Sequence, residues 1–560
     1  MKFDYIIIGG GSSGCVTANK LVKNNANVLL IEEGGDYKNP FLKMPAGFIP
    51  MLDGSPYHRF HTTISQKQLN DRKHDIAQGK ILGGGSSING MVYMRGRPSD
   101  YNAWENEVGD KYWNWDNLLN SYVALEGNQR FNNKYHGIDG PLKVSDPKYV
   151  VKGTDLYIKT MQGLGLPFNS DFNDGSQYGV GLMQLTTNYG KRCSAVDAFI
   201  DPIRDNKKLS IKLKSIVTKI IIENNKAIGV EVLEKGKIHK YFANNEIIIT
   251  AGTYISPKIL MHSGVGDEEE LKKHNIKTIV NLKGVGKNLQ DHHEVPYVVS
   301  TKKGYGYYKQ DKGIRKIING LQYVLFNSGP VTSNAAETCA FLNPTNLKNN
   351  IDPPIKLYCV QIMYTDRDTK EIKQNHGLTL TSCIMNPKSR GDVKLSSDNP
   401  LDLPLINPKD PRLLMQVAEF KDDTLAQFKL KDRKDYGGAA RRAARRRRDQ
   451  IRDDYRRTYS QNLGRTKFKP TKQRVGNLGN IILGEAKRAG NLAGTMTKDI
   501  VLDPAKKGIN QFKDAILPFG QKVLKGIGSL GDNWQRSAQN REILGDAYTD
   551  DVRESMMTDK

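Results

Sequence analysis

Two short apolar runs near the start of the chain are separated by a glycine-rich turn and a segment that predicts a helix. The first run, residues 3–8, is mostly apolar and ends at Gly9, and the second covers residues 27–31. Apolar runs of four to eight residues bounded by glycine are typical of buried strands in a parallel sheet. The pattern therefore predicts a strand, a helix and a second parallel strand, which is the βαβ unit of an α/β fold.

The turn after the first predicted strand carries glycines at the spacing of a dinucleotide fingerprint. Gly9, Gly11 and Gly14 form G-x-G-x-x-G, and Glu32 follows the second strand. Gly9 allows the tight turn, Gly11 lets the backbone approach a pyrophosphate, and Gly14 lets the helix pack closely on the strand. The helix N-terminus would offer N–H groups to phosphates, and Glu32 would accept a hydrogen bond from a ribose hydroxyl. We predict a bound dinucleotide; the alternative is a fold of this type that has lost its ligand.

Three further glycine-rich segments follow along the chain. Residues 79–96 contain three consecutive glycines and then two serines, which predict a loop whose backbone can approach a flat ligand or an anion. Residues 246–266 predict a buried strand that ends in Ala-Gly and is followed by a helix. Residues 284–292 read Gly-Val-Gly-Lys-Asn-Leu-Gln-Asp-His.

Together these segments resemble the signatures of the glucose–methanol–choline (GMC) family of FAD-dependent oxidoreductases. The resemblance extends over residues 1 to about 410. It implies an α/β fold with a Rossmann-type FAD-binding domain built from residues 1–96 and 201–299. An interleaved mixed α/β substrate domain, from residues 97–200 and 300–413, would cover the flavin with a sheet. Residues 414–560 are not part of the resemblance and are expected to form a basic tail that is mostly helical or disordered.

The resemblance implies an FAD site that draws on all of these segments. Gly9, Gly11, Ser13 and Gly14 would hold the pyrophosphate, and Glu32 the adenosine ribose. The other positions that the resemblance assigns to FAD are Gly83, Ser87, Asn89, Gly90, Met91, Val217, Ala251, Gly252 and Asp291. Some relatives attach the flavin covalently through a histidine in the 83–91 loop. This chain has Asn89 and no histidine in that loop, so non-covalent FAD is expected.

The catalytic histidine of the GMC family is missing from its expected place. The resemblance implies that a hydride passes from a small alcohol to the flavin while a histidine near the C-terminus takes the hydroxyl proton. All ten histidines lie between His58 and His376. His292 and His293 are interpreted as structural or cofactor-proximal residues. The catalytic residue therefore stays unassigned, and impaired alcohol oxidation is expected.

Positive charge is concentrated towards the end of the chain. The formal net charge of the chain is +24. The last 145 residues carry 31 basic and 19 acidic residues, so about a quarter of the length holds half of the net positive charge. A cluster of arginines in this tail could bind nucleic acid or an acidic partner through charge and bidentate hydrogen bonds. The cluster consists of Arg441, Arg442, Arg445, Arg446, Arg447 and Arg448. A solvated helix or a disordered linker is the alternative interpretation.

Length and composition narrow the class of protein further. A chain of 560 residues is too long for a single core, so two or three domains are expected. No apolar run is long enough to cross a membrane and no signal peptide is recognisable, so an intracellular protein is expected. The five cysteines are scattered and lack C-x-x-C spacing, which disfavours a zinc site or a disulfide framework.

Three interpretations of the whole chain remain open. The first is an FAD-dependent oxidoreductase that acts on an alcohol. The second is a structural or nucleic-acid-binding protein, such as a packaging or virion protein, that reuses the GMC fold and adds a basic arm. The third is a chimera of a truncated oxidoreductase and an unrelated basic protein. The change from lysine-rich to arginine-rich composition near residue 415 favours the chimera.

Overall fold

The described residues form two large β-sheets, a smaller sheet of three strands and four two-stranded sheets, together with eight α-helices. The computed structural model describes residues 2–51, 54–69, 71–302, 304–349, 351–364 and 375–409. The arginine cluster and the rest of the predicted tail lie outside the described residues. The strands are β1 (Lys2–Ile8), β2 (Val28–Ile31), β3 (His58–Thr62), β4 (Asp75–Gly79), β5 (Glu126–Asn128), β6 (Leu142–Val144), β7 (Gly179–Leu182), β8 (Thr187–Asn188), β9 (Lys191–Arg192), β10 (Leu209–Lys212), β11 (Ser215–Glu223), β12 (Lys226–Glu234), β13 (Lys237–Ile249), β14 (Val265–Gly266), β15 (Val280–Asn281), β16 (Lys287–Leu289), β17 (Glu294–Ser300), β18 (Ala336–Leu342), β19 (Ile355–Val360), β20 (Gly377–Ile384), β21 (Gly391–Lys394) and β22 (Leu405–Asn407). The α-helices are α1 (Ser12–Lys23), α2 (Pro40–Lys43), α3 (Pro98–Val108), α4 (Trp115–Leu125), α5 (Lys152–Gly163), α6 (Gly252–His262), α7 (Glu268–Lys272) and α8 (Gly313–Phe326).

The first sheet has the strand order β10-β2-β1-β13-β12-β11. Its first four strands run parallel, and β12 and β11 continue the sheet as antiparallel strands. Every residue of β2 is buried, and Ile6, Ile7 and Ile8 of β1 are at most 2% exposed. Continuous burial of this kind is expected where helices cover both faces of a parallel sheet. The βαβ unit predicted at the start of the chain is present, with β1 between β2 and β13.

Helix α1 packs closely on the first sheet because small residues face the turn that follows β1. A Cβ atom at Gly14 would overlap the carbonyl oxygen of Gly9. Cys15 and Ala18 are fully buried and belong to the same core cluster as Leu30 of β2. The close approach brings the N-terminus of α1 next to the end of β1.

The second sheet is antiparallel throughout and has the order β17-β20-β19-β18-β7. Helix α5 covers one of its faces, where Tyr157 and Met161 share a core cluster with Val180 and Ala340. The hydroxyl of Tyr157 also donates to the carbonyl oxygen of Leu357, at 2.7 Å. The buried hydroxyl therefore has a partner, and the helix is fixed to the sheet by packing and by a hydrogen bond.

The third sheet has the order β16-β21-β22. Leu289, Val393 and Ile406 are its buried apolar residues, and they pack with Ile76 of β4 and Tyr254 of α6. This packing brings the loop between β21 and β22 towards α6.

The predicted division into two domains stays a prediction. The first sheet takes its strands from residues 2–31 and 209–249, and the second takes its strands from residues 179–182 and 294–384. Each sheet is thus assembled from segments that are distant in the sequence, as the interleaved arrangement requires.

Candidate cofactor site

A cleft of about 620 Å³ opens where β1, β2 and β13 end. In open α/β sheets, ligands usually bind in the crevice outside the carboxyl ends of the parallel strands. The volume lies within the range of small-molecule and cofactor sites. Eight of the residues that the family resemblance assigns to FAD line this cleft, namely Gly9, Gly11, Ser13, Glu32, Asn89, Val217, Ala251 and Gly252.

The N-terminus of α1 forms one wall of the cleft. Gly11 is the N-cap residue, and no side chain caps the helix there. Ser12 and Ser13, in the first turn, also line the cleft. The first N–H groups of a helix have no intrahelical acceptor, and the helix dipole is positive at this end. A Cβ atom at Gly11 would meet nothing closer than 3.9 Å, so the backbone here is open to a phosphate group.

Glu32 follows β2, and two backbone amides fix its carboxylate. Gly10 N donates to Oε2 and Gly34 N donates to Oε1, both at 2.8 Å. Burial raises the pKa of the Glu32 carboxyl, and the hydrogen bonds from Gly34 and Gly10 partly offset this rise. A carboxylate offers about four lone-pair sites, so Glu32 keeps capacity to accept hydrogen bonds from ribose hydroxyls.

Basic side chains line another part of the cleft. Arg59 forms an ion pair with Glu33, and the Nζ atom of Lys80 lies 3.2 Å from the Oε1 atom of Glu33. The Nζ atom of Lys258 donates to the carbonyl oxygen of Asp402, at 2.7 Å. Burial, reinforced by repulsion from Arg59, lowers the pKa of Lys258 to about 8. These three cations outnumber the two carboxylates near them, Glu32 and Glu33, so this part of the cleft favours an anionic ligand.

The loop of residues 79–91 is held against the glycine turn. Gly83 N donates to the carbonyl oxygen of Gly10 at 2.6 Å, and Gly83 adopts a positive φ of 88° that favours glycine. Ser87 is fully buried, and its hydroxyl donates to the carbonyl oxygen of Leu82 at 2.8 Å. These bonds give the loop a fixed backbone where it meets the cleft.

Asn89 lines the cleft in a defined orientation. Its Oδ1 atom accepts hydrogen bonds from Met91 N at 3.0 Å and from Arg192 Nη1 at 2.8 Å. Because both partners are donors, the accepting atom must be the amide oxygen, and Nδ2 is left to donate to a ligand. Arg192 is 2% exposed and also donates to the carbonyl oxygens of Leu42, at 2.8 Å, and Ser86, at 3.1 Å. Arg192 therefore orients the amide donors of Asn89.

The guanidinium of Arg192 is a buried cation beneath this loop. Its Nη2 atom is buried and meets no hydrogen-bond acceptor in the part of the chain that the structure describes. Burial lowers the pKa of Arg192 to about 10. The side chain consequently stays protonated at neutral pH and places a positive charge next to the lining of the cleft.

The end of β13 supplies a further wall of the cleft. The hydroxyl of Thr250 donates to the carbonyl oxygen of Gly9 at 2.7 Å, which ties the end of β13 to the glycine turn. Gln78 of β4 donates from Nε2 to the carbonyl oxygen of Ala251 at 3.1 Å. Val217 of β11 lines the cleft as well. Four separate segments therefore converge on one crevice.

The remaining predicted cofactor residues lie outside the cleft lining; they are Gly14, Gly83, Ser87, Gly90, Met91 and Asp291. The carbonyl oxygen of Gly90 accepts from Asn334 Nδ2 at 2.6 Å, and the fully buried Met91 accepts from Thr186 N at 2.8 Å. Asp291 is exposed, and its carboxylate accepts from the backbone N of His292 at 2.8 Å. Most of this group thus supports the lining from behind, and direct contact with FAD stays a prediction for all six.

The cleft also contains residues that the sequence did not single out. Arg59 comes from β3, Lys258 from α6, and Leu401 from the loop between β21 and β22. Lys258 lies within the glycine-rich segment of residues 246–266, whose pattern could have drawn attention to it. Arg59 and Leu401 are far from any motif, so only the packing of the folded chain reveals their position.

The histidines with perturbed pKa values occupy different surroundings, none of them in the cleft lining. Burial lowers the pKa of His61, and it lowers the pKa of His262 to about 4, so both are neutral at pH 7. His136 lies between the carboxylates of Glu126 and Asp171. His58 does line the cleft, with its Nδ1 atom 2.7 Å from the hydroxyl of Ser55. No histidine is thereby assigned as a base, and the absence of the family histidine stays a sequence-based prediction.

The order of the first sheet, the glycine turn and the buried Glu32 define a Rossmann-type dinucleotide-binding protein. Residues 3–294 match the GMC oxidoreductase family. This match covers more than half of the chain, and the chain belongs to the GMC oxidoreductase family.

Relatives extend this similarity beyond residue 294. The chain is 36% identical over 414 residues to the alcohol dehydrogenase (acceptor) of Pseudomonas putida, covering 72% of this chain and 74% of the relative. It is 34% identical over 407 residues to the oxygen-dependent choline dehydrogenase of Rhizobium rhizogenes, covering 72% of this chain and 73% of the relative. About a quarter of each relative is therefore not covered by the match.

Solved structures show the same fold. Pyridoxine 4-oxidase from Mesorbium loti superposes with a TM-score of 0.68 at 28% identity, covering 76% of this chain and 79% of the oxidase. A variant of the formate oxidase of Aspergillus oryzae, studied for its FAD modification, superposes with a TM-score of 0.70 at 25% identity. The match covers 76% of this chain and 80% of the formate oxidase. FAD is the cofactor of these flavoenzymes. The cleft fits it, because free helix N–H groups and a carboxylate with spare lone pairs face the same space.

Proposed function

We propose that this chain binds FAD without a covalent bond and oxidises the CH–OH group of a small alcohol, more slowly than family members that keep the catalytic histidine. The observation that carries the proposal is the convergence of the α1 N-terminus, Glu32 and the oriented Asn89 on one cleft. The names of the relatives, which are alcohol and choline dehydrogenases, support an alcohol as the hydride donor.

Each wall of the cleft would contact a different part of the cofactor. The backbone N–H groups at Ser12 and Ser13 would bind the pyrophosphate with the help of the helix dipole. Glu32 would accept hydrogen bonds from the adenosine ribose. Asn89 would donate from Nδ2 to an acceptor on the flavin ring. The bound flavin supplies the acceptor for the hydride.

Proton transfer is where this chain differs from the family pattern. A positioned general base contributes about 10²- to 10⁴-fold to the rate of such a reaction. Residues 377–560 contain no histidine. In this proposal the alcohol proton leaves to solvent or to a weaker base, so oxidation is slow although the cofactor is held normally.

Visible absorption after gel filtration tests the cofactor part of the proposal. The full-length chain is incubated with FAD, and Gly11→Ala is compared with Gly163→Ala. The added methyl at Gly11 meets only the carbonyl oxygen of Thr250, at an unstrained 3.9 Å, but enters the space that a phosphate would need, whereas Gly163 lies in α5 with nothing within 4 Å. We expect a flavin band in the wild type and in Gly163→Ala, and its loss in Gly11→Ala. A folded but colourless wild type would overturn the proposal.

Chemical rescue tests the catalytic part of the proposal. The FAD-loaded protein is assayed with small primary alcohols and choline, using a dye as the electron acceptor. We expect turnover about 10²- to 10⁴-fold below that of the Pseudomonas putida relative, and an increase when imidazole is added, because imidazole can act as the missing base. Full activity without imidazole would show that another residue acts as the base.

A further inference from the structure

Helix α8 turns its apolar side to the solvent. Large apolar residues recur at the i, i+3, i+4 and i+7 spacing that places side chains on one helix face. They are Ile314 (68% exposed), Ile317 (48%), Ile318 (55%), Leu321 (50%), Val324 (70%) and Leu325 (47%). Phe326, the last residue of the helix, is 69% exposed. We call this set the α8 stripe.

The opposite side of α8 faces the protein through polar groups. Tyr323 is the buried residue of the helix, and its hydroxyl lies 3.5 Å from the carbonyl oxygen of Lys43. Asn319 donates from Nδ2 to the carbonyl oxygen of Gln310 at 2.9 Å. An amphipathic helix of a globular protein normally buries its apolar face, so this helix is inverted with respect to the core. Contiguous exposed apolar surface of this kind marks an interaction site.

Two exposed aromatic residues lie on segments that contact this helix. Phe41 is 61% exposed and belongs to α2, the helix whose Lys43 carbonyl faces Tyr323. Tyr189 is 73% exposed, and the next residue, Gly190, lies so close to the carbonyl oxygen of Asn327 that a Cβ atom would approach it to 2.9 Å. The ring and hydroxyl of a tyrosine such as Tyr189 suit a position where an apolar phase meets water, and Phe41 adds exposed apolar surface.

Positive charge accompanies the α8 stripe. Residues 313–326 contain Arg315 and Lys316 and no acidic residue. Lys309 and Lys312 precede the helix, and Asp311 is the single acidic residue among residues 304–326. An apolar helical face bordered by Lys and Arg is the pattern of helices that lie in the interface of anionic membranes.

We propose that α8 docks this protein on the surface of an anionic lipid membrane, with the α8 stripe inserted among the acyl chains and the neighbouring cations at the headgroups. Two other occupants fit the charges less well. The last 145 residues of this chain carry 31 basic and 19 acidic residues, and a second copy would bring a second cationic helix, so both would meet like charge. Among the described residues, no helix is long and apolar enough to span a membrane, which makes the proposed contact peripheral.

A fluorescent probe on the stripe tests this proposal in the full-length chain. All five cysteines are buried, so a dye that reacts with thiols can be directed to Leu321→Cys. The matched control is Lys226→Cys, an exposed position at the start of β12. With vesicles of phosphatidylglycerol and phosphatidylcholine, we expect a blue shift of the emission at position 321 and none at position 226. The association constant for vesicles of pure phosphatidylcholine should be at least tenfold smaller than for the vesicles that contain phosphatidylglycerol.

The same probe separates the other occupants. A blue-shifted emission at position 321 before lipid is added would show that the chain itself covers the stripe, and it would overturn the proposal. A shift that grows with protein concentration in the absence of lipid would indicate a second copy and would also overturn it. Equal shifts at positions 321 and 226 would mean that vesicles bind elsewhere.

Substitutions separate insertion of the stripe from simple attraction of the basic tail. Ile317→Gln with Leu321→Gln removes apolar surface and leaves every charge in place. Ile238→Gln, at a 53% exposed position of β13, is the control. In co-sedimentation at about 0.5 M salt, where charge attraction is strongly screened, we expect the double variant to bind at least tenfold more weakly than the wild type and the control to bind equally. Equal binding of all three proteins would refute insertion of α8.

Discussion

Asn89 and Arg192 act as one unit within the cofactor cleft. An asparagine amide can present either its oxygen or its nitrogen to a ligand, and the two choices have opposite hydrogen-bonding character. The guanidinium of Arg192, which does not itself line the cleft, settles this choice by donating to the Oδ1 atom of Asn89. Affinity for the flavin should therefore depend on a residue behind the lining.

Replacing Arg192 with methionine should weaken FAD binding by about 10- to 100-fold, because hydrogen bonds from a charged donor contribute about 1.5–3 kcal/mol. Quenching of flavin fluorescence on titration measures the dissociation constant. Arg204→Met is the control, since Arg204 pairs at a partly exposed position with Asp36 and Asp201. An unchanged dissociation constant in Arg192→Met, with the fold intact, would remove the role assigned to Arg192.

Gly14 is a second residue on which local geometry depends, because its lack of a side chain lets α1 approach the end of β1. Gly14→Ala should destabilise the fold by about 1–3 kcal/mol, because the methyl group would overlap the Gly9 carbonyl oxygen and force α1 away from β1. Gly320→Ala, in the middle of α8 with nothing within 4 Å, should instead stabilise by about 0.5–1 kcal/mol. Urea unfolding followed by circular dichroism compares the two variants. Similar effects of both changes would contradict the close approach.

At the scale of elements, local signals decided which parts could be predicted from the sequence. The first strand, helix and second strand follow from apolar runs and the glycine spacing alone, and the Ala-Gly end of the segment leading into α6 follows in the same way. The cleft residues Arg59 and Leu401 could not be predicted. They are carried by β3 and by the loop before β22, and only the packing of these separate elements brings them to the end of β1.

Helix α8 shows what the hydrophobic period of a helix cannot predict. Its period predicts an amphipathic helix, yet the period does not say which side meets the protein. Tyr323 and Asn319 make the inward contacts, and the apolar stripe is left outside. A sequence pattern fixes the angular separation of the two faces, while the partner of each face depends on the rest of the fold.

A buried charge cluster joins β5 to three connecting segments of the chain. His136 places Nδ1 3.0 Å from Glu126 Oε2 and Nε2 2.8 Å from Asp171 Oδ2. Arg95 lies 2.7 Å from the same Glu126 oxygen. Burial on its own lowers the pKa of His136, but hydrogen bonds to Asp171 and Glu126 outweigh it and raise the pKa to about 9.

This cluster should make stability depend on pH. The unfolded pKa of histidine is about 6.5, so the folded state binds the proton more tightly. The stabilisation is fully present below about pH 6.5 and is lost as the pH rises through about 9. At pH 6, His136→Gln should cost about 3–5 kcal/mol, because Asp171 loses its cation and Glu126 keeps only Arg95. The urea unfolding midpoints of the wild type and His136→Gln should approach each other as the pH rises from about 6.5 to about 9.5. A constant difference between the two midpoints across that range would contradict the raised pKa of His136.

At the scale of the whole molecule, charge gives a test of the interpretation as a nucleic-acid-binding protein. The arginine cluster of residues 441–448 lies outside the described residues, and its binding to nucleic acid stays a prediction. If all six arginines contact phosphates, replacing them with glutamine should reduce the slope of log K against log salt by about 5, at about 0.9 per contact. Fluorescence anisotropy with a labelled DNA duplex measures this slope. Replacement of six exposed lysines in residues 2–409 is the control, and an unchanged slope would exclude the arginine contacts.

The central position of β1 in the first sheet has a consequence for the way this protein is made. One edge of β1 pairs with β2, which ends at Ile31, while the other pairs with β13, which ends at Ile249. At about 5–20 residues per second, roughly 10 to 45 s of translation separate the emergence of these two partners. During that time the nascent chain carries an apolar strand with one row of unpaired N–H and C=O groups, which is a template for aggregation. The yield of folded protein should therefore depend on how well the ribosome and its chaperones shield this strand until β13 arrives.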